Sequence, residues 1–492
     1  MKKDKKWAPR AAQEDRLRRI EKQIKRNLGP IEIEIERAVL LCALDRRVEA
    51  QQAFIDILFR NPKNFSALNE FGACLTSMGK ISAACRVYSE TVLHHRENPI
   101  GHVNLANLLL RGGNLNGARE HYEAALQIDP HHPQAHQGLG AVLSGLGDHR
   151  NANPHFQHGY KNYYISTLPY RGTKPPAPLL LLVSSGNGNI PTESFLDDRI
   201  FAISVIVADF LSATVALPDH RVIFNAIGDA DLCLPALAAA NRFAAKAAAP
   251  IINDPLAVMN TGRAVNAERF RELPGVVTPL TIAIPRAVLT GSNAATAISS
   301  HGFKFPLLLR SPGFHTGQNF LMVENAPDLA AAAASLPGDD LLVIEYLDAR
   351  DKDGNARKYR VMIVDGRLYP LHLAISQQWK VHYFTADMAD RADHRSEDAA
   401  FLANMPAVLG QKAVAALEQI AERLGLDYCG VDFGLSSNGD VLLFEANATM
   451  VVNLPDSDER WAYRRPAVTK ILDAVTSMIL DRAKPARKRA VA

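Results

Sequence analysis

The stretch DYCGVDFGLSSNGDVLLFEANATM, residues Asp427 to Met450, places two apolar runs on either side of Asn438-Gly439. Asn-Gly is the strongest short-range signal for a two-residue hairpin turn, because both positions of that turn need a positive φ. A two-residue turn at this place sets Phe433 opposite Phe444. The stretch therefore predicts a β-hairpin.

The same register sets Asp432 directly opposite Glu445, and Asn447 projects from the same face of the sheet as Glu445. Two carboxylates that face each other repel, so a cation is expected between them. Carboxylate and amide oxygens are ligands that magnesium takes, with coordination positions left for phosphate and water. The sequence therefore predicts a magnesium site at Asp432, Glu445 and Asn447.

The overall composition is that of an ordinary soluble protein with several domains. The chain has 492 residues, of which 47% are apolar and 22% charged. No apolar stretch approaches the ~20 residues of a membrane span, and no apolar segment of a secretory signal follows the basic N-terminus. The five cysteines have no metal-type spacing. We therefore predict a cytoplasmic protein with reduced thiols and no membrane partner.

The net charge of +3 is unevenly distributed. Residues 1–30 contain eleven Lys/Arg and four Asp/Glu, and residues 481–492 contain five and one. We predict a basic N-terminal extension and a basic C-terminal tail, which could contact nucleic acid or an acidic partner. Solvated tails are the favoured interpretation, because no segment has the pattern of a nucleic-acid-binding module.

Residues 31–166 repeat with a period of 34 residues. One series of equivalent positions is Gly72, Ala106 and Gly140, and another is Tyr88, Tyr122 and Phe156. Small residues recur where two helices approach closely, and aromatic residues recur where neighbouring helices leave a gap. The period predicts an all-α solenoid of four units, 31–64, 65–98, 99–132 and 133–166.

These units resemble tetratricopeptide repeats, most clearly in the segment NLANLLLRGGNLNGAREHYEAALQIDP. The first unit is degenerate, with Arg37 at a position that is usually apolar. The resemblance implies a concave surface that binds peptides or partner proteins, and a dimerisation or scaffold role is the alternative. Histidines between His94 and His149 fall at positions expected mostly to face outward, so no metal site is predicted there.

Residues 167–177 are rich in proline and predict a stiff linker. After it, residues 178–265 alternate predicted strands and helices, including a helix over residues 201–213, and indicate a small α/β domain. Residues 266–480 are the last predicted domain.

The last domain contains a predicted phosphate-binding site. Arg310 ends a predicted strand, and the loop after it contains Gly313 and Gly317, which let backbone N–H groups approach a phosphate. The loop lacks the GxxxxGK[ST] pattern, so a phosphate-loop fold is excluded.

Two further cations, Lys358 and Arg360, lie on one face of a predicted hairpin that turns at Asp365-Gly366. The turn sets Arg360 opposite Leu371. Each cation alone is typical of a protein surface, but their order before the Asp432 hairpin favours a common site.

Taken in order, FPLLLRSPGFHTGQ, LLVIEYL, ARKYRVMIVDGRLYPLHLAIS and GVDFGLSSNGDVLLFEANATM resemble the ATP-grasp superfamily, most nearly its ribosomal-protein glutamate ligase and glutathione synthetase-like branch. The resemblance covers about residues 180–480 and implies a multidomain protein, an all-α solenoid followed by an α+β and α/β ATP-grasp fold. It implies that Asp432, Glu445 and Asn447 hold magnesium against the phosphates of ATP. The implied nucleotide-binding residues are Arg263, Arg310, Gly317, Glu345, Tyr346, Leu347 and Lys358, and the implied catalytic residues are Arg310 and Arg360.

The chain departs from the ATP-grasp pattern at three positions. Arg310 stands where the family usually has lysine, Lys358 where it has an acid, and His372 where a substrate-binding cation normally lies. These departures leave the substrate class open. His372, His382 and Tyr383 are either part of an acceptor pocket or half-buried strand residues.

The resemblance implies a ligase that joins a carboxylate to an amine through an acyl phosphate, with ATP and magnesium as cofactors. The carboxylate and amine substrates are unknown, and the repeats would recruit a peptide or protein. An ATP-grasp kinase, or a non-catalytic adaptor with a vestigial nucleotide site, are the alternatives.

Overall fold

The computed structural model describes residues 10–26, 29–211, 215–314, 317–381 and 386–484. The chain divides into two compact units, Met1–Pro176 and Ala177–Ala492. Each unit has its own secondary structure.

The first unit is helical, apart from one short strand at its end. Its described helices are α1 (Arg10–Lys25), α2 (Ile31–Ala43), α3 (Arg47–Arg60), α4 (Phe65–Ser77), α5 (Ile81–His94), α6 (Pro99–Arg111), α7 (Leu115–Ile128), α8 (Pro133–Gly145) and α9 (His149–Tyr160), and its strand is β1 (Ile165–Thr167). From α2 to α9 the helices form four hairpins, each starting at the first residue of a predicted repeat. The predicted all-helical repeat array is therefore confirmed.

Close contacts between small and aromatic residues fix the repeat geometry. Gly138 lies against the ring of Tyr122, and Gly140 lies against Phe156. Tyr122 is fully buried, and its hydroxyl donates to Asn107 Oδ1 at 2.6 Å. A Cβ atom at Gly138 or Gly140 would overlap these rings, and a Cβ atom at Gly72, two repeats before Gly140, would overlap Tyr88 in the same way.

A left-handed residue closes the turn between the two helices of each repeat. The four equivalent positions have φ values of 64° (Asp45), 74° (Gly79), 78° (Gly113) and 82° (Gly147). Glycine adopts this conformation without strain, and aspartate is among the residues that tolerate it.

We predict that Gly138→Ala destabilises the array by ~1–3 kcal/mol, because the new methyl group overlaps the Tyr122 ring. Urea unfolding followed by the helical circular dichroism signal measures the change. Gly112→Ala is the matched control, since its Cβ meets only backbone oxygens at 3.4 Å and 3.5 Å. Equal stability of the two variants would contradict this explanation of the repeat.

The second unit combines parallel and antiparallel strands with helices. Its strands are β2 (Ala177–Val183), β3 (Phe201–Val207), β4 (Val222–Asn225), β5 (Ile251–Ile252), β6 (Val276–Val277), β7 (Thr281–Pro285), β8 (Leu307–Arg310), β9 (Phe320–Val323), β10 (Asp340–Glu345), β11 (Ala356–Val364), β12 (Arg367–Ser376), β13 (Tyr428–Leu435) and β14 (Val441–Asn447). Its helices are α10 (Leu234–Ala244), α11 (Pro255–Met259), α12 (Arg263–Arg269), α13 (Arg286–Leu289), α14 (Ala294–Ser300), α15 (Leu329–Ser335), α16 (Ala392–Ala403), α17 (Met405–Leu424) and α18 (Arg465–Arg482).

These strands form three sheet regions. Strands β3, β2, β4 and β5 are parallel and adjacent in that order. A four-stranded antiparallel sheet has the order β7-β10-β8-β9, and a five-stranded sheet has the order β12-β11-β13-β14-β6. The mixed sheet-containing region expected after the repeats is therefore present.

The helix predicted over residues 201–213 is wrong where the structure describes it. Residues Phe201–Val207 form β3, and Ala208–Phe210 form a single 3-10 turn. The β-branched residues Ile203, Val205, Ile206 and Val207 favour a strand, and pairing with buried β2 decides the outcome. Residues 212–214 lie outside the described residues.

The β13–β14 hairpin forms, but its turn differs from the predicted one. The loop closes between Ser436 and Asp440, and only Gly439 has a positive φ, of 75°. The longer loop shifts the register by one residue, so Phe433 faces Leu443 rather than Phe444. Three-residue loops with glycine in this position are a common hairpin type.

A bulge at Phe444 then restores the predicted register. Beyond it, Asp432 faces Glu445 and Gly430 faces Asn447, as predicted. The turn has one residue more than predicted, and the bulge adds one residue to β14. These two changes compensate, so Asp432 and Glu445 face each other as predicted although the turn is different.

A second bulge changes the partner of Arg360. Asp365 and Gly366 have φ values of 48° and 73° and form the two-residue turn between β11 and β12. The register shifts after Val361, and Arg360 faces His372 instead of Leu371. Pro370 has no N–H for the ladder, which is a reason for an irregularity at this point.

Within the described residues, no single helix is long and apolar enough to cross a membrane. The bent pair α16 and α17 meets the criterion by length and composition only, and the two helices meet at 63°.

Candidate functional site

A cavity of about 530 Å³ opens in the second unit. One side is formed by residues of β8 and β10, from the four-stranded sheet. The other side is formed by residues of β11, β13 and β14, from the five-stranded sheet, and the loop after β2 adds Gly188 and Asn189.

All the residues predicted to form the site line this one cavity. They are Arg263, Arg310, Gly317, Glu345, Tyr346, Leu347, Lys358, Arg360, Asp432, Glu445 and Asn447. They come from segments as far apart in the chain as Arg263 and Asn447, and they belong to two separate sheets, the start of α12 and loops. Their chemical roles remain predictions.

Asp432 is the buried carboxylate of the site. Arg360 donates to it through Nε at 2.5 Å and through Nη2 at 2.8 Å, and Lys358 Nζ lies 3.2 Å from Oδ2. Its side chain is only 4% exposed. Burial alone would raise the pKa of Asp432, but Arg360 and Lys358 hold it far below its ordinary value. Asp432 is therefore ionised and bound to two cations.

Arg263 bridges two carboxylates at the start of α12. Its Nη1 lies 2.8 Å from Asp231 Oδ2, and its Nη2 lies 2.6 Å from Glu445 Oε1. Asn447 Nδ2 donates to the same Glu445 oxygen at 2.8 Å. The oxygen of Asn447 accepts from Thr449, both N and Oγ1. Arg263 and Asn447 therefore hold the Glu445 carboxylate in place.

Arg310 differs from the cavity cations that pair with carboxylates, which are Arg263, Arg357, Lys358 and Arg360. Its Nη2 donates to Phe314 O at 2.5 Å, whereas its buried Nε has no hydrogen-bond partner among the described residues. No described carboxylate lies within ion-pair distance of it. Burial, together with the charge of Arg263, lowers the pKa of Arg310 to about 10. An anion placed beside Arg310 would satisfy its donor and remove this electrostatic penalty.

The donor set suits magnesium in its chemistry, but its carboxylates are engaged by cations. Asp432, Glu445 and Asn447 offer hard oxygen donors on adjacent strands. Among the described residues, no group of three or more His, Cys, Asp or Glu side chains could hold a metal by itself. The three predicted residues therefore fit magnesium only if Arg360, Lys358 and Arg263 give up part of their contact with the carboxylates.

Glu345 lies at the end of β10 and contacts Leu280 through both its backbone and its side chain. Its backbone N–H donates to Leu280 O at 2.8 Å, and its carboxylate accepts from Leu280 N at 3.0 Å. Tyr346 and Leu347 line the cavity beside it, and the nucleotide-binding role of all three residues stays a prediction.

Sequence reasoning missed an aromatic and cationic wall of the cavity. Trp379 stands edge-on to Phe320 with ring centroids 5.3 Å apart. Lys380 donates to Phe320 O at 3.1 Å, and the Arg310 guanidinium lies 5.3 Å from the Phe320 ring centre. The Gln-Gln-Trp-Lys sequence after β12 was a signal for this wall, because a tryptophan beside a lysine suits a ligand with a ring and a negative charge.

His372 does not line the cavity. It is 7% exposed within β12. Burial and the charges of Arg360 and Arg464 lower the pKa of His372 well below its ordinary value, so the imidazole is neutral. His372 is therefore a buried strand residue and not part of an acceptor pocket. His382 and Tyr383 lie outside the described residues.

The histidines of the first unit form two equivalent pairs in neighbouring repeats. His102 Nδ1 lies 3.1 Å from His121 Nδ1, and His136 Nδ1 lies 2.8 Å from His155 Nδ1. Burial lowers the pKa of each of these histidines. Each pair is a contact within one repeat, in which His102, His121 and His155 are half-buried and His136 is buried.

Comparison with known proteins identifies the repeats. A tetratricopeptide-repeat family model matches residues 97–164. A solved structure of MamA from Desulfovibrio magneticus RS-1 is 23% identical, has a TM-score of 0.27 and covers 30% of this chain and 84% of that chain. The APC/C hetero-tetramer Cut9-Hcn1 is 16% identical, with a TM-score of 0.28 and coverage of 30% and 28%. No curated protein matches the chain. The matched segment therefore consists of tetratricopeptide repeats, a fold that suggests protein–protein interaction.

We predict that Asp432→Asn lowers the free energy of unfolding by ~3–5 kcal/mol, because it leaves Arg360 and Lys358 without their buried counter-charge. Urea unfolding monitored by tryptophan fluorescence measures the change in the second unit, which contains Trp379 and Trp461.

Glu268→Gln is the control for this measurement. Glu268 and Arg271 form an ion pair with side chains 70% and 52% exposed, and its loss changes stability by less than ~1 kcal/mol. An Asp432→Asn effect no larger than this control would show that the buried ion pairs do not stabilise the site.

Proposed function

We propose that the second unit is an ATP- and magnesium-dependent carboxylate–amine ligase, and that the tetratricopeptide repeats recruit a peptide or protein substrate or partner. The observation that carries the proposal is the buried, incompletely bonded Arg310 guanidinium at the wall of a cation-rich cavity.

The charge of the lining favours a polyanionic ligand. Six cationic residues line the cavity, Arg263, Arg310, Arg357, Lys358, Arg360 and Lys380. Three carboxylates line it, Glu345, Asp432 and Glu445. The described lining therefore has a formal charge of 6 − 3 = +3. Asp231 pairs with Arg263 from outside the lining, and Asp353 and Glu397 pair with Arg357. The positive charge open to phosphate oxygens is therefore that of Arg310, Lys380 and the Arg360–Lys358 pair. Two aromatic rings on the same wall suit the flat base of a nucleotide.

The ion pairs explain how such a cavity is stable before its ligand binds. Asp432 pairs with both Arg360 and Lys358, and Glu445 and Asp231 both pair with Arg263. Phosphate oxygens would compete for these cations and leave Asp432 and Glu445 available to a divalent cation. Nucleotide and metal would therefore bind with positive coupling, because each ligand takes one partner of the same ion pairs.

The chain's part in the chemistry is positioning and charge neutralisation. A bound magnesium ion would neutralise phosphate oxygens next to Asp432, Glu445 and Asn447. Arg310 and Arg360 would hold the γ-phosphate while the substrate carboxylate attacks it and ADP leaves. The amine then displaces phosphate from the acyl phosphate to give an amide. Neither step needs a nucleophilic side chain.

The absence of Lys at position 310 does not prevent this role. Arginine keeps its charge at every physiological pH and presents a planar set of donors that matches two phosphate oxygens at once. The unpartnered Nε of Arg310 is one of these donors.

The proposal is tested by the thermal stability of the full chain with and without ATP and magnesium. Nucleotide at ~100 times its dissociation constant adds ~2.7 kcal/mol to the unit that binds it and raises its midpoint of unfolding. Glu445→Gln and Arg310→Met are expected to lose most of the rise, since each removes a charged ligand contact. The exposed-pair variant Glu268→Gln should keep the full rise.

The three functional alternatives give different products. A ligase releases phosphate only when both a carboxylate and an amine are present. A kinase makes a phosphorylated acceptor without free phosphate. If ATP with magnesium leaves the folded wild-type chain unshifted, both enzyme proposals fail, and the protein acts as a tetratricopeptide adaptor.

A further inference from the structure

Two cysteines meet between the first two repeats of the array. Cys42 lies near the end of α2, and Cys74 lies in α4. Their Sγ atoms are 2.6 Å apart, although the residues are 32 positions apart in the chain. All five cysteines belong to the described residues, and this is the only contact between two of them. The repeat geometry, which brings α2 against α4, produces it.

The surroundings of the two sulfur atoms favour a thiolate at Cys42. The hydrogen bond from Cys74 lowers the pKa of Cys42 to about 6, helped by Ser77 and by the charge of Arg47. The same bond, with burial, raises the pKa of Cys74. A thiolate is the reactive form of cysteine in disulfide exchange.

The two cysteines of the pair differ in solvent exposure. Cys42 is half-buried, whereas Cys74 is only 4% exposed. An external reagent therefore reaches Cys42 first, and Cys74 stands ready as the second sulfur. This arrangement of an accessible low-pKa thiol beside a buried partner is the one that disulfide exchange requires.

We propose that Cys42 and Cys74 form a site of reversible disulfide formation through exchange with a low-molecular-weight disulfide such as oxidised glutathione. The inference is independent of the ligase proposal, because it concerns the first unit alone.

The reaction balances without any further reagent. The Cys42 thiolate attacks one sulfur of the small disulfide and forms a mixed disulfide, and the first small thiolate leaves. Cys74 loses its proton to solvent and attacks Cys42 Sγ, and the second small thiolate leaves. The protein has then lost two hydrogens and two electrons, and the small disulfide has been reduced to two thiols.

The disulfide would stabilise the first two repeats of the array. It joins the first helices of repeats one and two, and the first repeat is the degenerate one. Closing a chain loop of this length reduces the conformational freedom of the unfolded state and raises the stability of the linked segment. The thiol state of the cell would thereby set how rigidly the first repeat is held.

The experiment uses the full chain, reduced and then incubated with oxidised glutathione. Free thiols are counted in denaturant, and the alkylated protein is digested for mass spectrometry. The count is expected to fall from five to three, that is by the two cysteines of the pair. A peptide linked through Cys42 and Cys74 should appear, and the thermal midpoint of the array should rise by several degrees and return on reduction.

Matched variants make the result specific. Cys42→Ser and Cys74→Ser should each abolish the linked peptide and the thermal shift. Cys85→Ser changes a cysteine of the same helical array that forms no hydrogen bond to another cysteine in the described residues, and it should retain both. Circular dichroism checks that each variant is folded.

Two results would overturn the proposal. One is an unchanged count of five thiols in the folded wild-type chain. The other is a glutathione adduct that persists on Cys42, since a Cys74 sulfur able to attack would displace it.

Discussion

The buried carboxylate of Asp432 constrains the whole second unit. Its side chain is 4% exposed and remains ionised only because Arg360 and Lys358 contact it from the neighbouring strand. That contact requires β11 to pair with β13 in one register, and the pairing of β13 with β14 then places Glu445 opposite Asp432. The sheet, the ion pairs and the wall of the cavity therefore depend on one another, and a shift of one residue would leave charges buried without partners.

The ion pairs also connect stability with binding. Six cationic side chains line the cavity, and they would repel one another without the carboxylates. The carboxylates therefore stabilise the folded chain before any ligand binds. Arg310 and Lys380 are the exceptions, since no described carboxylate pairs with either of them, and Arg310 Nε has no hydrogen-bond partner among the described residues. An anion that binds to Arg310 does not have to displace a described carboxylate. Its attraction to Arg310 therefore contributes fully to the binding free energy.

Features of the structure that depend on local pattern or on residue type could be predicted from the sequence. The period of 34 residues located four helical hairpins, because each repeat is built from contacts between near neighbours. Eleven lining residues were named from the strand pattern and from the resemblance, whereas Arg357 and Lys380 were not. The bulges at Phe444 and Leu371 could not be found, because a bulge reflects how two strands accommodate a turn and a proline together. The strand at Phe201–Val207 was missed because its apolar pattern also fits a helix, and pairing with β2 decided between the two.

Calorimetric titration of the full chain with ATP, with magnesium, and with both tests the central claim, that carboxylate–cation pairs are exchanged for metal and phosphate. Magnesium alone should give no saturable heat, since Asp432 and Glu445 are already paired. ATP should bind at least ~10-fold more tightly with magnesium than in the presence of a chelator, a coupling of ~1.4 kcal/mol. Tight binding of magnesium without nucleotide, or an ATP affinity that magnesium does not change, would contradict the account.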